Sequence, residues 1–155
     1  MKVRRALPNE SQVLSELALR AKSLWGYSEA QLASWSSDLC ISPESITSEP
    51  TFVIEAEDCV AGVVQLGTNS SPWTVEHLWV HPSLGRRGIG GQLLRHALRF
   101  AHEHGQSQLT IDADPQAENF YARLGALKVG EVAAPIDGQP TRVRPQLVVS
   151  TENAA

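Results

Sequence analysis

A run of glycines in the middle of the chain constrains its fold more than any other segment. Gly85-Arg86-Arg87-Gly88-Ile89-Gly90-Gly91 follows the short apolar segment Val75–Val80 and precedes the amphipathic segment Gln92–Ala101. This order predicts a strand, a glycine loop and a helix. The first turn of a helix has unpaired N–H groups and a positive dipole end, and glycines let a ligand approach the main chain. The segment is therefore typical of a phosphate-binding site.

Hydrophobic periodicity and turn residues place the other elements around this unit. We predict strands over 2–6, 51–56, 59–66, 73–80, 109–113, 127–132 and 143–149, with helices over about 13–25, 28–40 and 92–101 and one from Asp114 to Gly125. A short helix after Pro43 stays open. The helix after the glycine loop joins two strands, which we expect to pair in parallel. A mixed sheet covered by helices follows.

Composition favours an ordinary globular protein. The chain has 155 residues, of which 42% are apolar, and we predict a single domain over 1–150 with a tail at 151–155. A net charge of −4 disfavours a nucleic-acid surface. No apolar run approaches a membrane span, and the basic N-terminus lacks the apolar stretch of a signal peptide, so we expect a cytoplasmic protein.

The cysteines and histidines give no pattern of metal ligands. Cys40 and Cys59 are far apart in the sequence, and we expect both to be reduced thiols. His102 and His104 are two residues apart on a predicted helix and therefore point to different sides. We expect no metal site.

Two common phosphate ligands fit the glycine loop poorly. A nucleoside-triphosphate loop needs Lys followed by Ser or Thr after its last glycine, whereas Gln92 follows Gly91 here. A dinucleotide loop needs a third glycine in register and lies after the first strand, and this loop has neither feature. A dinucleotide such as NAD is therefore a minor alternative.

A third pattern matches at two places. Val80-His81-Pro82, the glycine loop and Leu93-Leu94 resemble the acetyl-CoA loop of the GNAT superfamily of N-acetyltransferases. Phe120-Tyr121, shortly before Gly125, resembles the aromatic-Tyr pair of the same family. One departure is Gly85, where the family usually has Gln or Arg. We expect the charges of Arg86 and Arg87 to replace it.

The resemblance implies a fold and a cofactor. The fold is α/β (α+β), with a mixed, mostly antiparallel twisted sheet of about seven strands, a central parallel pair and about four flanking helices. The cosubstrate is acetyl-CoA, with the pantetheine arm beside the strand that precedes the loop. Cofactor contacts are expected at Leu78, Trp79, Val80, Arg86, Arg87, Gly88, Ile89, Gly90, Gly91 and Asn119. Asn119 could equally be an ordinary solvated helix position.

Two residues are candidates for proton transfer. By resemblance Tyr121 is the general acid, because a phenol is protonated at neutral pH and can donate to a departing thiolate. Glu76 is the candidate base, since on a regular strand it shares a face with Leu78 and Val80. Each has a structural alternative, packing on the sheet for Tyr121 and a charge pair at a strand edge for Glu76. His77 is the weaker candidate base.

The acceptor site is expected near the first helices and the last hairpin. Trp25 and Tyr27 flank Gly26 and could grip an amine through cation–π contacts, or simply anchor the helices. Arg142 and Arg144 share a strand face that would suit an acidic acceptor, or lie solvated.

The sequence therefore predicts an N-acetyltransferase that moves an acetyl group from acetyl-CoA to a primary amine by direct transfer in a ternary complex. The acceptor is a small-molecule or peptide amine, and we expect neither a nucleic-acid nor a membrane partner. A homodimer is compatible with this class. The alternative is a non-catalytic acyl-CoA-binding sensor or partner module of the same fold.

Overall fold

The computed structural model describes residues 2–85 and 87–154, and these form a seven-stranded sheet with helices on both faces. The strands are β1 (Lys2–Arg5), β2 (Thr51–Ala56), β3 (Cys59–Gly67), β4 (Trp73–Val80), β5 (Gln108–Asp112), β6 (Leu127–Ala133) and β7 (Val143–Ser150). Their order in the sheet is β1-β2-β3-β4-β5-β7-β6. Every neighbouring pair is antiparallel except β4 and β5, which are parallel. The predicted mixed sheet with a central parallel pair is confirmed.

The described residues form six α-helices, where about four were expected. They are α1 (Ser11–Ser23), α2 (Glu29–Ser34), α3 (Ser36–Leu39), α4 (Pro43–Ser48), α5 (Ile89–Glu103) and α6 (Glu118–Arg123). The predicted helix over 28–40 is divided at Trp35, whose φ of −96° and ψ of 4° depart from helical values. Serines surround this break, and serine competes for backbone hydrogen bonds and favours helix ends. The short helix left open after Pro43 is α4, with the Ser42 side chain accepting a hydrogen bond from the Ser45 amide.

The sheet separates two hydrophobic clusters. Helix α5 packs on one face, with Leu93, Leu94, Ala97 and Leu98 at most 1% exposed. Helices α1 and α4 cover the other face, where Leu14, Leu17, Ile41, Ile46, Val53 and Val63 form the second cluster. Burial of these side chains on both faces is the main stabilising contribution to the fold. The position of the two clusters also determines on which face of the sheet each β4 side chain lies.

Residues 151–154 pack against the body of the protein, whereas the sequence predicted a tail from 151 onwards. They form a turn of 3₁₀ helix in which Thr151 and Ala154 are buried. The Thr151 amide donates to the Ser107 carbonyl, and its hydroxyl donates to the Gln106 carbonyl. The last residue predicted in the tail, Ala155, lies outside the described residues.

A gap opens in the middle of the sheet. Strands β4 and β5 pair only through Trp73 with Leu109 and Thr74 with Thr110. Beyond these pairs β5 stays bonded to β7, while β4 stays bonded to β3. Helix α5 follows β4 and helix α6 follows β5, so both helices begin near the carboxyl ends of the separating strands. Ligands of open α/β sheets bind at such a position.

None of the helices in the described part of the chain combines the length and apolar character that crossing a bilayer requires.

Candidate active site

The backbone of β4 presents unpaired groups to the gap. The His81 amide donates to the Ala61 carbonyl at 2.7 Å, which fixes the hydrogen-bonding phase of the β3–β4 ladder. Hydrogen-bonded and non-hydrogen-bonded positions alternate along an antiparallel pair. The N–H and C=O groups of Leu78 and Val80 therefore point away from β3, into the gap where β4 and β5 are no longer paired. Those of Trp79 point to β3, so a cofactor contact by Trp79 would involve its side chain.

A β-bulge in β4 changes the face of the sheet on which the Glu76 side chain lies. Gln65 pairs with His77 and Leu66 pairs with Val75, so Glu76 is the additional residue on β4. Val75 packs in the α5-side cluster, as do the side chains of Leu78 and Val80. The alternation expected from the sequence, with Glu76 on the face of Leu78 and Val80, is interrupted at this bulge.

The carboxylate of Glu76 instead lies beside Thr74. The Thr74 hydroxyl donates a hydrogen bond of 2.6 Å to the Glu76 carboxylate. Trp73 and Val75 flank Thr74 and both pack on the α5 side, so Thr74 and Glu76 face the opposite side. This side opens into the large cavity described below, and both residues line it.

His77 is held in one tautomer. The indole N–H of Trp79 donates to His77 Nδ1 at 3.0 Å, and because an indole nitrogen is only a donor, this Nδ1 carries no proton. The neutral ring then carries its proton on Nε2. Burial lowers the pKa of His77, against an opposing effect of Glu76. His77 has no free basic nitrogen in this arrangement, which makes it a poor general base.

The glycine loop ends in the N-terminus of α5. Gly88 adopts φ 72° and ψ 15°, the left-handed conformation that favours glycine, and the helix starts at Ile89. The Gln92 amide bonds to the Gly88 carbonyl, so the amides of Ile89, Gly90 and Gly91 precede the first intrahelical bond. These are the amides that the sequence predicted as anion donors.

Of the two arginines in the glycine loop, the structure describes only Arg87. Arg86 lies outside the described residues. Arg87 is half-exposed and pairs with Glu57 of the β2–β3 turn at 2.8 Å. Gly85 has φ −65°, which any residue can adopt, and a Cβ there would meet only the Pro82 carbonyl, at 3.6 Å.

Gly90 brings three elements together. A Cβ on Gly90 would lie 2.9 Å from two ring carbons of Phe120 on α6 and 3.4 Å from Val80 on β4. Both neighbours are partly buried against the α5-side cluster. The absence of a side chain at Gly90 therefore sets how closely α5 and α6 approach beside the gap.

Gly90→Ala is expected to destabilise the protein by about 1–3 kcal/mol, the usual cost of forcing extra volume into a packed region. Binding of a phosphate-containing ligand at the first turn of α5 should weaken as well, because this turn would have to shift. Gly85→Ala is the matched control, since its Cβ meets no close contact. Urea unfolding and calorimetric titration measure both effects. Equal stability and affinity for the two variants would contradict this role of Gly90.

Tyr121 lies on α6 with its ring in the core. It is 7% exposed, packs edge-to-face with Phe120 at 5.1 Å between ring centroids, and lines the same cavity as the gap residues of β4. Burial raises the pKa of Tyr121 well above its ordinary value, and no charge or hydrogen bond from the described residues adds to this effect. The phenol therefore stays protonated at neutral pH and is a donor.

A cavity of about 1000 Å³ extends from the gap across the α1 side of the sheet. Its lining includes β4 from Thr74 to Trp79, β5 with the residues that follow it, Tyr121, and the segment before β7. Three of the predicted acceptor residues are found in or beside it. Trp25 and Arg142 line the cavity, and Tyr27 contacts Arg142 through a hydrogen bond of 3.1 Å.

Asp114 joins Lys22, Tyr27 and Arg142 on the side of the cavity where the sequence predicts the acceptor, and these residues with Trp25 are called the acceptor wall below. Its Oδ2 accepts hydrogen bonds from Lys22 Nζ at 2.7 Å, from the Tyr27 hydroxyl at 2.7 Å and from Arg142 at 3.3 Å. Its Oδ1 accepts from the Gln116 amide at 2.8 Å, as expected of a helix cap. The side chains of Lys22, Asp114 and Arg142 are only 12%, 4% and 5% exposed. Asp114 thus links α1, the α1–α2 loop and the segment before β7.

Aromatic rings surround Lys22. Its ammonium lies 4.7 Å from the ring centroid of Trp35, 5.4 Å from those of Trp25 and Tyr27 and 5.9 Å from that of Trp79. These are cation–π distances. Trp25 and Tyr27 thus make cation–π contacts with a cation of the protein itself, whereas the sequence predicted contacts with a substrate amine.

Burial and hydrogen bonds to charged partners shift the pKa values of Asp114 and Lys22 in opposite directions. Burial raises the pKa of Asp114, but hydrogen bonds from Lys22, the Gln116 amide and Tyr27 outweigh it, and the pKa lies below its ordinary value. Burial lowers the pKa of Lys22, and the hydrogen bond to Asp114 opposes this change. Burial and donation to Asp114 raise the pKa of Tyr27, so its hydroxyl keeps its proton.

The lowered pKa of Asp114 predicts a loss of stability in acid. Its contribution is complete above the unfolded-state pKa, near 3.8, and is lost as pH falls through the lower folded-state value. Urea unfolding of the wild type and of Asp114→Asn should therefore differ most at neutral pH, and the difference should shrink below about pH 4. A constant difference across this range would contradict the assignment.

Sequence reasoning missed two members of the cluster, Lys22 and the second role of Asp114. Asp114 was recognised only as a helix cap, because its partners are distant in the sequence. Lys22 looks like an ordinary basic residue in the last turn of α1. Asn119 is exposed on α6, and Arg144 lines the cavity and pairs with Asp112.

Comparison with known proteins agrees with this architecture. The family model described as an acetyltransferase (GNAT) domain matches residues 21–133, which is most of the chain. The chain therefore belongs to the GNAT acetyltransferase family. No curated protein matches the sequence significantly.

Solved structures share the fold over almost the whole chain. The GCN5-related N-acetyltransferase of Rhodopseudomonas palustris has a TM-score of 0.79 at 22% identity, covering 96% of this chain and 94% of that one. The PaiA N-acetyltransferase of Thermoplasma acidophilum, solved with coenzyme A, has 0.75 at 17% identity, covering 96% and 98%. YncA of Salmonella typhimurium, a putative acetyltransferase solved with acetyl-CoA, has 0.71 at 15% identity, covering 97% and 94%.

Proposed function

We propose that the protein is an N-acetyltransferase that transfers the acetyl group of acetyl-CoA directly to a primary amine. The observation that carries this proposal is the gap between β4 and β5. There the unpaired backbone groups of Leu78 and Val80 lie next to the N-terminus of α5. A strand edge suits an extended amide-containing arm, and a helix N-terminus suits a pyrophosphate. The two features together match the two halves of coenzyme A.

In this proposal, backbone amides and one arginine of the chain bind the donor, acetyl-CoA. The amides of Ile89, Gly90 and Gly91 take the pyrophosphate, with Arg87 adding charge at the rim. The backbone of Leu78 and Val80 pairs with the pantetheine amides. The same free N–H groups can polarise the thioester carbonyl, which is the electrostatic stabilisation that acyl transfer needs. Asn119, exposed on α6, is a further candidate contact.

Proton transfer is assigned to Glu76 and Tyr121. Acetyl-CoA supplies an activated thioester, and the acceptor amine must be neutral to attack it. Glu76, at the β4 bulge, takes the amine proton directly or through water. Tyr121, buried and protonated, donates to the departing sulfur. Holding both reactants in one cavity supports transfer without a covalent enzyme intermediate.

The acceptor enters from the side of α1 and β7. Trp25, Tyr27 and Arg142 form this wall together with Lys22 and Asp114. A small amine or a peptide amine fits a cavity of about 1000 Å³. The single-domain organisation, the homodimer and the cytoplasmic location inferred from the sequence remain predictions.

A thiol-release assay with acetyl-CoA against a library of amines tests this function. We expect at least one amine to release coenzyme A and to be recovered in acetylated form by mass spectrometry. Tight acetyl-CoA binding without turnover on any amine would contradict the enzyme and favour the acyl-CoA-binding sensor.

Glu76→Gln is expected to lower kcat by about 10²-fold, the usual contribution of a general base. The amide keeps the size of the side chain and can still accept the Thr74 hydrogen bond, so stability should change little. Glu44→Gln is the control, because Glu44 is an exposed carboxylate on α4 that does not line the cavity. Steady-state kinetics at several pH values measure the effect. Unchanged kcat throughout the profile would exclude Glu76 as the base.

A further inference from the structure

The acceptor wall contains more positive than negative charge. Lys22, Arg142 and Arg144 line the cavity together, with Asp112 and Asp114 as their only ion-pair partners in the described part of the chain. Lys22 and Arg142 share a single oxygen of Asp114. Arg144 is paired with Asp112 at 3.0 Å. Three cations therefore share two carboxylates.

Two of the three cations, Lys22 and Arg142, are largely buried. The side chains of Lys22 and Arg142 are 12% and 5% exposed, so solvent screens them poorly. Their other neighbours are aromatic rings and the neutral hydroxyl of Tyr27. A buried cation without a full partner is costly, and a ligand that brings the missing negative charge recovers that cost.

Hydrogen bonding shows the same imbalance. Arg142 donates to the Ala134 carbonyl, to Tyr27 and to Asp114, yet its Nε is buried without an acceptor among the described residues. Oδ2 of Asp114 already receives three donors. The cluster thus has an excess of donors over acceptors, which a ligand carboxylate would reduce.

The other two carboxylates that line the cavity form no ion pair with these cations in the described part of the chain. Glu76 is on the β4 bulge, hydrogen-bonded to Thr74, and Asp38 is exposed on α3. The excess of positive charge is therefore confined to the ion-pair cluster of Lys22, Arg142 and Arg144, and Glu76 at the bulge belongs to none of its pairs among the described residues. An acceptor whose amine approaches Glu76 and whose own negative group lies at this cluster is complementary to both.

We propose that the acceptor is an amine that also carries a carboxylate, an amino acid or a compound built like one. Its carboxylate lies beside Lys22, Arg142 and Arg144, and its apolar part packs on the indole rings of Trp25 and Trp35. This assignment rests on the proposed acetyl transfer and names the acceptor class for the same site.

Matched acceptor pairs test the assignment. Each amino acid of a panel is compared with its α-amide, which keeps the amine and the carbon skeleton but lacks the charge. The amide has the more easily deprotonated amine, so a preference for the acid cannot arise from amine reactivity. For the best acceptor we expect kcat/KM about 10-fold or more above that of its amide, as for a charge-assisted hydrogen bond. Amides equal to or better than their acids throughout the panel would overturn the proposal.

Two charge variants sharpen the comparison. Arg144→Gln should lower the acid-to-amide ratio several-fold, mainly through KM of the acid. Asp112→Asn, on the partner of Arg144, should raise the ratio or leave it unchanged because it removes a competing negative charge. Both side chains are more than one-third exposed, so both variants should fold. An opposite order of the two ratios would contradict a carboxylate at this wall.

A binding measurement keeps this inference separate from catalysis. Tryptophan fluorescence, with Trp25, Trp35 and Trp79 in the cavity wall, is followed while N-acetyl amino acids or their amides are added in the presence of coenzyme A. Preferential binding of the acids supports the proposal even if no amine is turned over, in which case only the proposed catalysis fails. Equal binding of acids and amides, or no binding of either, overturns the inference.

Discussion

Tyr121→Phe is expected to lower kcat by about 10²–10⁴-fold while leaving the dissociation constant of acetyl-CoA unchanged. The substitution removes only the hydroxyl, and the ring continues to fill its place in the core. Because burial keeps the phenol protonated, it can donate to the departing thiolate throughout the neutral range. Steady-state kinetics and calorimetric titration separate the two effects.

The chain offers a matched control for this variant, since it contains two tyrosines and both lie near the cavity. Tyr27 donates its hydroxyl to Asp114, so Tyr27→Phe should raise KM of the acceptor with a smaller effect on kcat. If Tyr121→Phe retains wild-type kcat with a productive acceptor, Tyr121 is a packing residue and the general acid must be sought elsewhere.

Asp114→Asn is expected to destabilise the protein by about 3–5 kcal/mol, the usual cost of removing one partner from a buried ion pair. The substitution leaves Lys22 and Arg142 without their shared carboxylate in a site that is at most 12% exposed. The acceptor wall should also loosen, because Asp114 connects three elements of the chain. Urea unfolding at neutral pH measures the change in the free energy of unfolding.

Asp112→Asn provides the comparison for stability. Asp112 also pairs with an arginine, but its side chain is 51% exposed, and an exposed pair contributes about 0–1 kcal/mol. A similar small loss for both variants would show that water, and not the Asp114 carboxylate, compensates the two cations.

The strand–loop–helix unit around Gly88 was predictable because its signals are local. A glycine-rich loop, the apolar strand before it and the amphipathic helix after it can all be recognised within a short segment, and in the structure Gly88 adopts a positive φ. Asp114 as a helix cap was predictable for the same reason, and its side chain does accept the Gln116 amide. The parallel pairing of β4 with β5 followed from the helical crossover between them, and the seven-stranded mixed sheet contains this pair.

Features that depend on distant pairing were not predictable. The bulge at Glu76 arises from the register between β3 and β4, which no local pattern specifies, and it moves the carboxylate to the face opposite Leu78 and Val80. The cluster around Asp114 joins residues that are 28 to 92 positions apart. Only the folded chain brings Lys22, Tyr27 and Arg142 to one oxygen.

The donor site can be tested residue by residue through amide hydrogen exchange with and without acetyl-CoA. Acetyl-CoA is expected to slow exchange at Leu78 and Val80, whose amides face the gap, and at the first turn of α5, Ile89–Gly91. The amides of His77 and Trp79 serve as internal controls, because the β3 ladder already protects them. Acetyl-CoA that binds without protecting the gap amides of β4, or that does not bind at all, would contradict a donor site at this gap.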